Sequence, residues 1–474
     1  MTDPDTIAAI STPPGRGGIG IVRLSGPDAG RIARKLIRVS GPLEHGRARF
    51  TGVLDPRGPE ATIDEAVVTM FLAPRSYTGE DVVEIAAHGS PVVLNALLTG
   101  AVAQGARLAE PGEFTQRAFL AGRLDLTQAE AVHDLIEART LEQARAAAQQ
   151  LGGALSRRLA PAKEELLHLI ALLEAGMDFA SGELDDVEVV APTHIAGAID
   201  AVQAKLEALA RSFRGGALLR SGATLALVGR PNAGKSSLFN RLLERPRAIV
   251  TPVPGTTRDT VEESWSLDGI PIQLVDTAGL RLGNEGPADE AERQGIERSR
   301  EALADADLVL LVHDGTLAVS AEERALAAEL VGRPHLLVRN KIDLLPLGSD
   351  PATAVTDTDA ETAETAETAT AVAYGVSALS GEGLDSLRAA IRQALHTGGG
   401  LAEGGSLNNR RQQESVLAAI AALVAAREGN TARLPHEILL LDLHSALQAL
   451  DTLTGQTTAD DILGRIFSTF CIGK

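Results

Sequence analysis

A chain of 474 residues with 44 Lys and Arg against 63 Asp and Glu, a formal net charge of −19, has length for about three domains of roughly 150 residues each. Its one cysteine, Cys471, excludes an intramolecular disulfide framework and an all-cysteine metal site, and fits a reducing, cytoplasmic setting. The acidity sets the whole-molecule field against nucleic acid, so RNA contact needs a local basic patch or a basic partner, and no basic face is evident.

The N-terminal "MTDPDTIAAISTPPGRGGIG" has no basic region followed by an apolar run, and no later stretch approaches the ~18–20 uninterrupted apolar residues of a membrane span. To about residue 120 the chain mixes β-type runs, "GIGIVRLSG", "EAVVTMFL" and "DVVEIAAHG", with Gly, Pro and Asp turns. This predicts an α+β domain. From about 125 to 215 the texture is helical and alanine-rich. There Leu159, Ala162, Leu166, Ile170, Leu173 and Met177 advance by three or four and mark the core face of one helix.

Between 217 and about 396, "TLALVG", "IQLVDTAG", "DLVLLVHDG", "HLLVRNKID" and "AVAYGVSAL" alternate with helical segments. Apolar runs of this kind predict a mostly parallel sheet covered on both faces. After the linker-like "TGGGLAEGG" helical texture returns, so the α/β unit reads as an insertion into one helical domain. The acidic "TAE" repeat within 347–371 has too little apolar surface to offset ordering and is expected to be a disordered surface insertion.

The strongest motif is "LALVGRPNAGKSSLFNRLL", where Gly229, Gly234, Lys235 and Ser236 satisfy the phosphate-loop pattern between a strand and an amphipathic helix. Backbone N–H groups wrap the phosphates, Lys235 neutralises β/γ charge and the Ser236 hydroxyl is a magnesium ligand. "DTAG" (276–279), "NKID" (340–343) and "SAL" (377–379) follow at strand ends. Asp343, reading the guanine edge, predicts GTP over ATP. In "RAIVTPVPGTTRD", Thr257 is the expected second magnesium ligand. Asp276 is expected to orient the metal through water.

"DTAG" is followed by Leu280, so no glutamine stands ready to orient water. No arginine finger can be assigned either. Asn232 either helps hold a monovalent cation where a finger would sit or bonds to its own loop backbone.

"DTIAAISTPPGRGGIGIVRLSG", "YTGEDVVEIAAHG", "PGEFTQRAFLAGRLDLTQAEAV", "GRPNAGKSSLFN", "IVTPVPGTTRD", "DTAGLR", "ERQGIERS" and the terminal "GRIFSTFCIGK" together resemble the tRNA-modifying GTPase family MnmE, also called TrmE. The resemblance implies a multidomain α+β and α/β protein. Residues 1–121 would form a tetrahydrofolate-binding and dimerisation domain, 122–216 and 397–474 the halves of a helical domain, and 217–396 an inserted Ras-like G domain. It implies a homodimer, an FAD-containing MnmG-type partner in a two-plus-two heterotetramer, and tRNA, whose contacts could reside wholly in that partner. Together the two proteins would attach an aminomethyl-type group at C5 of the wobble uridine, using 5-formyl-tetrahydrofolate or a related folate.

Residue by residue, the resemblance implies a potassium site at Asn232, Thr251, Val253 and Thr256, and magnesium at Ser236 and Thr257. A water-orienting acid falls on Glu292, for which a solvated acid at a helix start is the alternative. Motifs and resemblance together give the nucleotide set Asn232, Gly234, Lys235, Ser236, Ser237, Thr251, Thr256, Thr257, Asp276, Thr277, Ala278, Gly279, Asn340, Lys341, Asp343, Ser377 and Ala378. Folate contacts map to Arg23, Glu84, Arg123 and Lys474. Arg123 stands where the family usually has lysine, which keeps the charge and changes the hydrogen-bonding geometry.

In the tail, Thr458 and Asp461 have capping-box spacing, and Ile462, Ile466 and Phe470 recur every four residues, which predicts a helix delivering "CIGK". Cys471 is a catalytic candidate through the resemblance, against the alternative of a small buried residue packing a chain end. Two other functions compete: a ribosome-assembly switch sharing the same G-domain motifs, and a folate-binding regulatory module without catalytic duty.

Overall fold

The computed structural model describes residues 5–180, 190–243, 263–267, 269–276, 306–330, 332–346, 373–396, 405–457 and 460–473. The potassium and magnesium candidates Thr251, Val253, Thr256 and Thr257, the candidates Thr277, Ala278, Gly279, Glu292 and Lys474, the capping residue Thr458 and the insertion at 347–371 lie outside them. The chain divides into two compact units, one of Met1–Ile136, Ala147–Leu206 and Glu414–Lys474, the other of Glu137–Ala146 and Glu207–Gln413.

The first unit opens with β1 (Ile7–Ile10), β2 (Gly17–Ser25), α1 (Ala29–Leu36), β3 (Arg49–Asp55), β4 (Gly58–Phe71), β5 (Val82–Gly89), α2 (Pro91–Ala103) and β6 (Arg107–Leu108). Its strands form a sheet in the order β3-β4-β5-β2-β1-β6. Neighbours are antiparallel except the parallel pair β1–β6. The period-2 alternation of "IVRLS" and "VVEIA" sends Val22, Leu24, Val83 and Ile85 into a core under α1 and α2, with Ile32, Leu36, Leu94 and Leu97. By the same alternation Arg23 and Glu84, paired in register, turn to the opposite face. There Ile7, Ala9, Ala109 and Phe114 make a smaller cluster.

Next come α3 (Glu113–Leu120), α4 (Leu126–Ile136), α5 (Leu141–Leu151), α6 (Ala154–Ala180) and α7 (Pro192–Arg211). The α6 stripe is buried at Leu159, Ala162, Leu166, Ile170 and Leu173, while Met177 at its end is half-buried.

The second unit holds α8 (Phe213–Ser221), β7 (Ala223–Val228), α9 (Lys235–Leu243), β8 (Glu263–Leu267), β9 (Ile270–Asp276), β10 (Leu308–Asp314), α10 (Ala321–Glu329), β11 (His335–Asn340), β12 (Ala373–Gly375) and α11 (Leu384–His396). Its strand order is β12-β11-β10-β7-β9-β8. All neighbouring pairs are parallel except β8–β9. The apolar runs are buried on both faces. One face packs with Leu238, Phe239, Leu387 and Ile391, the other with Leu326 and Leu330.

The chain closes with α12 (Arg410–Thr431), α13 (His436–Thr454) and α14 (Asp460–Phe467). In the first unit α13 packs on α6, and Arg427 of α12 pairs with Asp200 of α7 at 2.9 Å. Helices from either side of the α/β stretch therefore share one unit. Among the described residues no helix is long and apolar enough to cross a membrane.

Candidate functional site

The loops after β7, β9, β11 and β12 leave the sheet of the second unit at the carboxyl ends of its parallel strands, where open α/β sheets bind ligands. β7 feeds the phosphate loop, and α9 begins at Lys235. Asn232 (φ 64°) and Gly234 (φ 86°) take left-handed backbone, a conformation that turns successive N–H groups into one concavity. A Cβ on Gly234 would lie 2.2 Å from the Asn340 side-chain nitrogen, so glycine is required there. Lys235 Nζ donates to the Gly229 and Arg230 carbonyls at 2.7 and 2.9 Å. Ser236 and Ser237 are on the first turn of α9, and Asn232 is exposed in the loop. Asp276 ends β9 in register with Leu227, beside the strand that feeds the loop.

Asn340 is 1% exposed. Its Nδ2 donates to the Ala233 carbonyl at 2.9 Å, and its Oδ1 accepts from Ala378 N–H at 3.1 Å. One buried side chain thus ties the phosphate loop to the turn after β12. Lys341, also left-handed (φ 64°), places Nζ 2.6 Å from Asp314 Oδ2. Burial pushes the Asp314 carboxyl up, but hydrogen bonds from Lys341 and from the Thr316 hydroxyl and N–H prevail and hold it at about 2. Asp343 follows in a 3₁₀ turn, Ile342–Leu344, and is exposed. Buried Ser377 accepts from Ser380 N–H at 3.0 Å, which shapes the turn beside it.

A second polar cluster lies in the first unit. The Arg23 Nε and Nη2 atoms meet Glu84 Oε1 at 2.9 and 2.8 Å. The guanidinium lies 5.7 Å from the Tyr77 ring centre and 5.6 Å from that of Phe114. The C-terminal tail reaches this place. Gly473 accepts at its carbonyl from Ser11 Oγ at 3.0 Å and from Arg23 Nη1 at 3.4 Å. Ile472 pairs antiparallel with Pro111, and Gly112 N–H donates to the Cys471 carbonyl at 3.4 Å.

The buried anchors of the tail are Leu463, Phe467 and Phe470 against Leu126, Ala129 and Val132, with Ile466 partly buried. The four-residue stripe read from sequence therefore includes Ile466 and Phe470 and omits Leu463 and Phe467, because a helix buries a band wider than one row. Cys471 is exposed, so the packing role assigned to it as an alternative falls instead to Phe470. Arg123 is exposed, with its Cγ 3.6 Å from where a Cβ on Gly79 would stand.

Comparison with known proteins places these features in a lineage. Residues 6–123 match the family model described as GTP-binding protein TrmE N-terminus, and residues 126–471 match the MnmE helical domain. The tRNA modification GTPase MnmE of Koribacter versatilis is 51% identical, covering 99% of each chain. The chain belongs to the MnmE family. The MnmE of Chloroflexus aurantiacus is 44% identical over 99% of this chain and 100% of its own, and that of Roseiflexus sp. 43% over 99% of each.

Against this MnmE background, two features of the site are not evident in the sequence. Asp314, the partner of Lys341, reads there only as the end of an apolar strand, and its role needs β10 and β11 side by side. An ionic knot fixes α3: Arg117 meets Asp5, Glu80 and Glu113 at 2.6, 3.1 and 2.9 Å, and Arg107 meets Glu113 at 2.6 Å. Burial raises Glu113, yet bonds from Arg107, the Glu110 N–H and Arg117 outweigh it and keep the carboxyl low. The i,i+4 spacing of Glu113 and Arg117 is the one signal of it that the sequence carries.

Proposed function

We propose that this chain binds and hydrolyses GTP in the G-domain unit and uses that cycle to gate modification of the wobble uridine of tRNA. Family membership makes the chain a GTP hydrolase of tRNA modification. The observation that carries the nucleotide assignment is the buried Asn340 joining the phosphate loop to the turn at Ala378, with Lys341 and Asp343 following it.

Ser236, at the start of α9, serves as a hydroxyl ligand for magnesium, with Thr257 as its partner. Asn232, exposed on left-handed backbone, offers an oxygen for potassium, with Thr251, Val253 and Thr256 completing the set. Glu292 orients the attacking water. The half-buried Arg23–Glu84 pair presents a donor and an acceptor beside the docked tail, a chemistry that fits the fused-ring amide and amine of a folate. Arg123 and Lys474 contribute charge, and Cys471 is poised near the same place. The reaction takes an FAD-containing MnmG-type partner, a homodimer of this chain and a tetrahydrofolate one-carbon unit.

Nucleoside mass spectrometry of bulk tRNA, from the host with this gene deleted and restored, tests the reading. Loss and recovery of a 5-aminomethyl-type uridine is expected. Unchanged tRNA with altered ribosomal subunit profiles would hand the assignment to an assembly switch.

A further inference from the structure

Helix α1 carries a row of positive charge that the chain's acidity hides. Its buried positions are Ala29, Gly30, Ile32, Ala33 and Leu36. From residue 31 to 38, every exposed position on or directly after the helix is a cation: Arg31, Arg34, Lys35 and Arg38. The spacing of three and four residues puts Arg31, Arg34 and Lys35 on one face, about 6 Å of helix at 1.5 Å per residue, and Arg38 follows in the extended backbone after Leu36. Arg49 of the neighbouring β3 donates to the Ser40 carbonyl at 3.1 Å and extends the row past the helix.

Residues 27–49 hold six Lys and Arg against two carboxylates, in a chain where acids outnumber bases 63 to 44. Of those two, Asp28 pairs with Arg31 at 2.8 Å and Glu44 with Arg47 at 3.0 Å. Arg34 and Lys35 carry no ion pair among the described residues. Arg31, Arg34 and Lys35 together line an open depression of about 490 Å³ with Pro27, Met70 and Asp81. Asp81 is engaged, its Oδ1 accepting from Ala73 N–H at 2.9 Å.

We propose that this face of α1 docks the phosphate backbone of RNA, and that the chain thereby touches its tRNA directly. Charge complementarity carries the inference: a linear row of cations matches a linear row of phosphates, and Arg and Lys are the residues that fix a protein on such a backbone. An acidic protein partner fits less well, because a protein interface needs apolar or aromatic anchors at its centre. Among the described residues between 20 and 49 no large apolar side chain is exposed. The identity of the RNA, though not the phosphate chemistry, rests on the tRNA reading above.

The test compares the full chain with Arg34→Gln/Lys35→Gln in binding fluorescently labelled bulk tRNA across a salt series, with GTP hydrolysis followed in parallel. The expected result is at least tenfold weaker binding at low salt. The slope of log affinity against log salt should be shallower by about two, one for each phosphate that the variant no longer neutralises. GTP hydrolysis is expected to be unchanged, and Arg34→Lys/Lys35→Arg should restore binding.

Equal affinity and slope in the variant would overturn the proposal. So would intact RNA binding together with abolished association with the flavoprotein partner, which would make α1 a protein dock. Failure of the nucleoside experiment with α1-dependent tRNA affinity intact would remove the modification reading and leave this inference standing. The reverse pattern would do the opposite.

Discussion

Asn340 shows how a single motif residue can work inside the protein before it meets any ligand. Its amide satisfies an acceptor in the phosphate loop and a donor in the turn at Ala378, from a position that is 1% exposed. Alanine there would leave both backbone groups buried without a partner, at about 1–3 kcal/mol each. The two losses together come to about 2–6 kcal/mol, and since about 1.4 kcal/mol is a factor of ten in binding, Asn340→Ala should weaken guanine nucleotide binding by about thirtyfold or more. Titration with a fluorescent GDP analogue measures this. Asn340→Asp keeps the acceptor for Ala378 but turns a buried carboxylate oxygen onto the Ala233 carbonyl, so its affinity should fall at least as far as that of Asn340→Ala. Affinity unchanged in both variants would mean the loop and the turn hold their shape without this bridge.

At the scale of elements, α14 and the residues after it form a docking device with two parts. Leu463, Phe467 and Phe470 bury the helix, and the tail backbone then pairs Ile472 with Pro111 and accepts from Gly112 N–H at Cys471 and from Ser11 Oγ and Arg23 Nη1 at Gly473. Gly473 is the tight point. Its φ of 96° is left-handed, and an added Cβ would stand 2.6 Å from the Ile10 carbonyl oxygen. Gly473→Ala carries about 1–3 kcal/mol of backbone strain before that clash is counted. It should release the last residues while α14 stays packed. Hydrogen exchange checks this: faster exchange of the Gly112 amide, which donates to the Cys471 carbonyl, is expected, with Leu463–Phe467 unchanged and tRNA modification reduced. Unchanged exchange at Gly112 would show that the backbone bonds do not depend on this glycine.

At the scale of the whole molecule, what the sequence disclosed follows from how local each signal is. Strand and helix textures are local, and the runs at 17–25, 82–89, 223–228 and 308–314 appear as strands. The phosphate loop and "NKID" are local too. The bridge from Asn340 to Ala233 spans 107 positions and the tail contact to Arg23 spans 450, so neither is visible until the chain is folded. The α1 cations stand in plain view in "RIARKLIR", but a net charge of −19 averages over every face and conceals the one that differs.

The division of the chain also sets how it should melt. The described nucleotide residues all belong to the unit of Glu137–Ala146 and Glu207–Gln413. GDP binds that unit when folded and not when unfolded, so at about 100 times its Kd it should stabilise it by about 2.7 kcal/mol. Calorimetry of the full chain is then expected to resolve two transitions, with GDP raising one and leaving the other in place. Hydrogen exchange at α10 and at α13 assigns which is which, and Asn340→Ala should shrink the shift at the same GDP concentration. A single transition that GDP moves as a whole would show that the two units unfold as one thermodynamic body, and that nucleotide binding is felt in the Arg23–Glu84 cluster as strongly as in the loop that holds the phosphates.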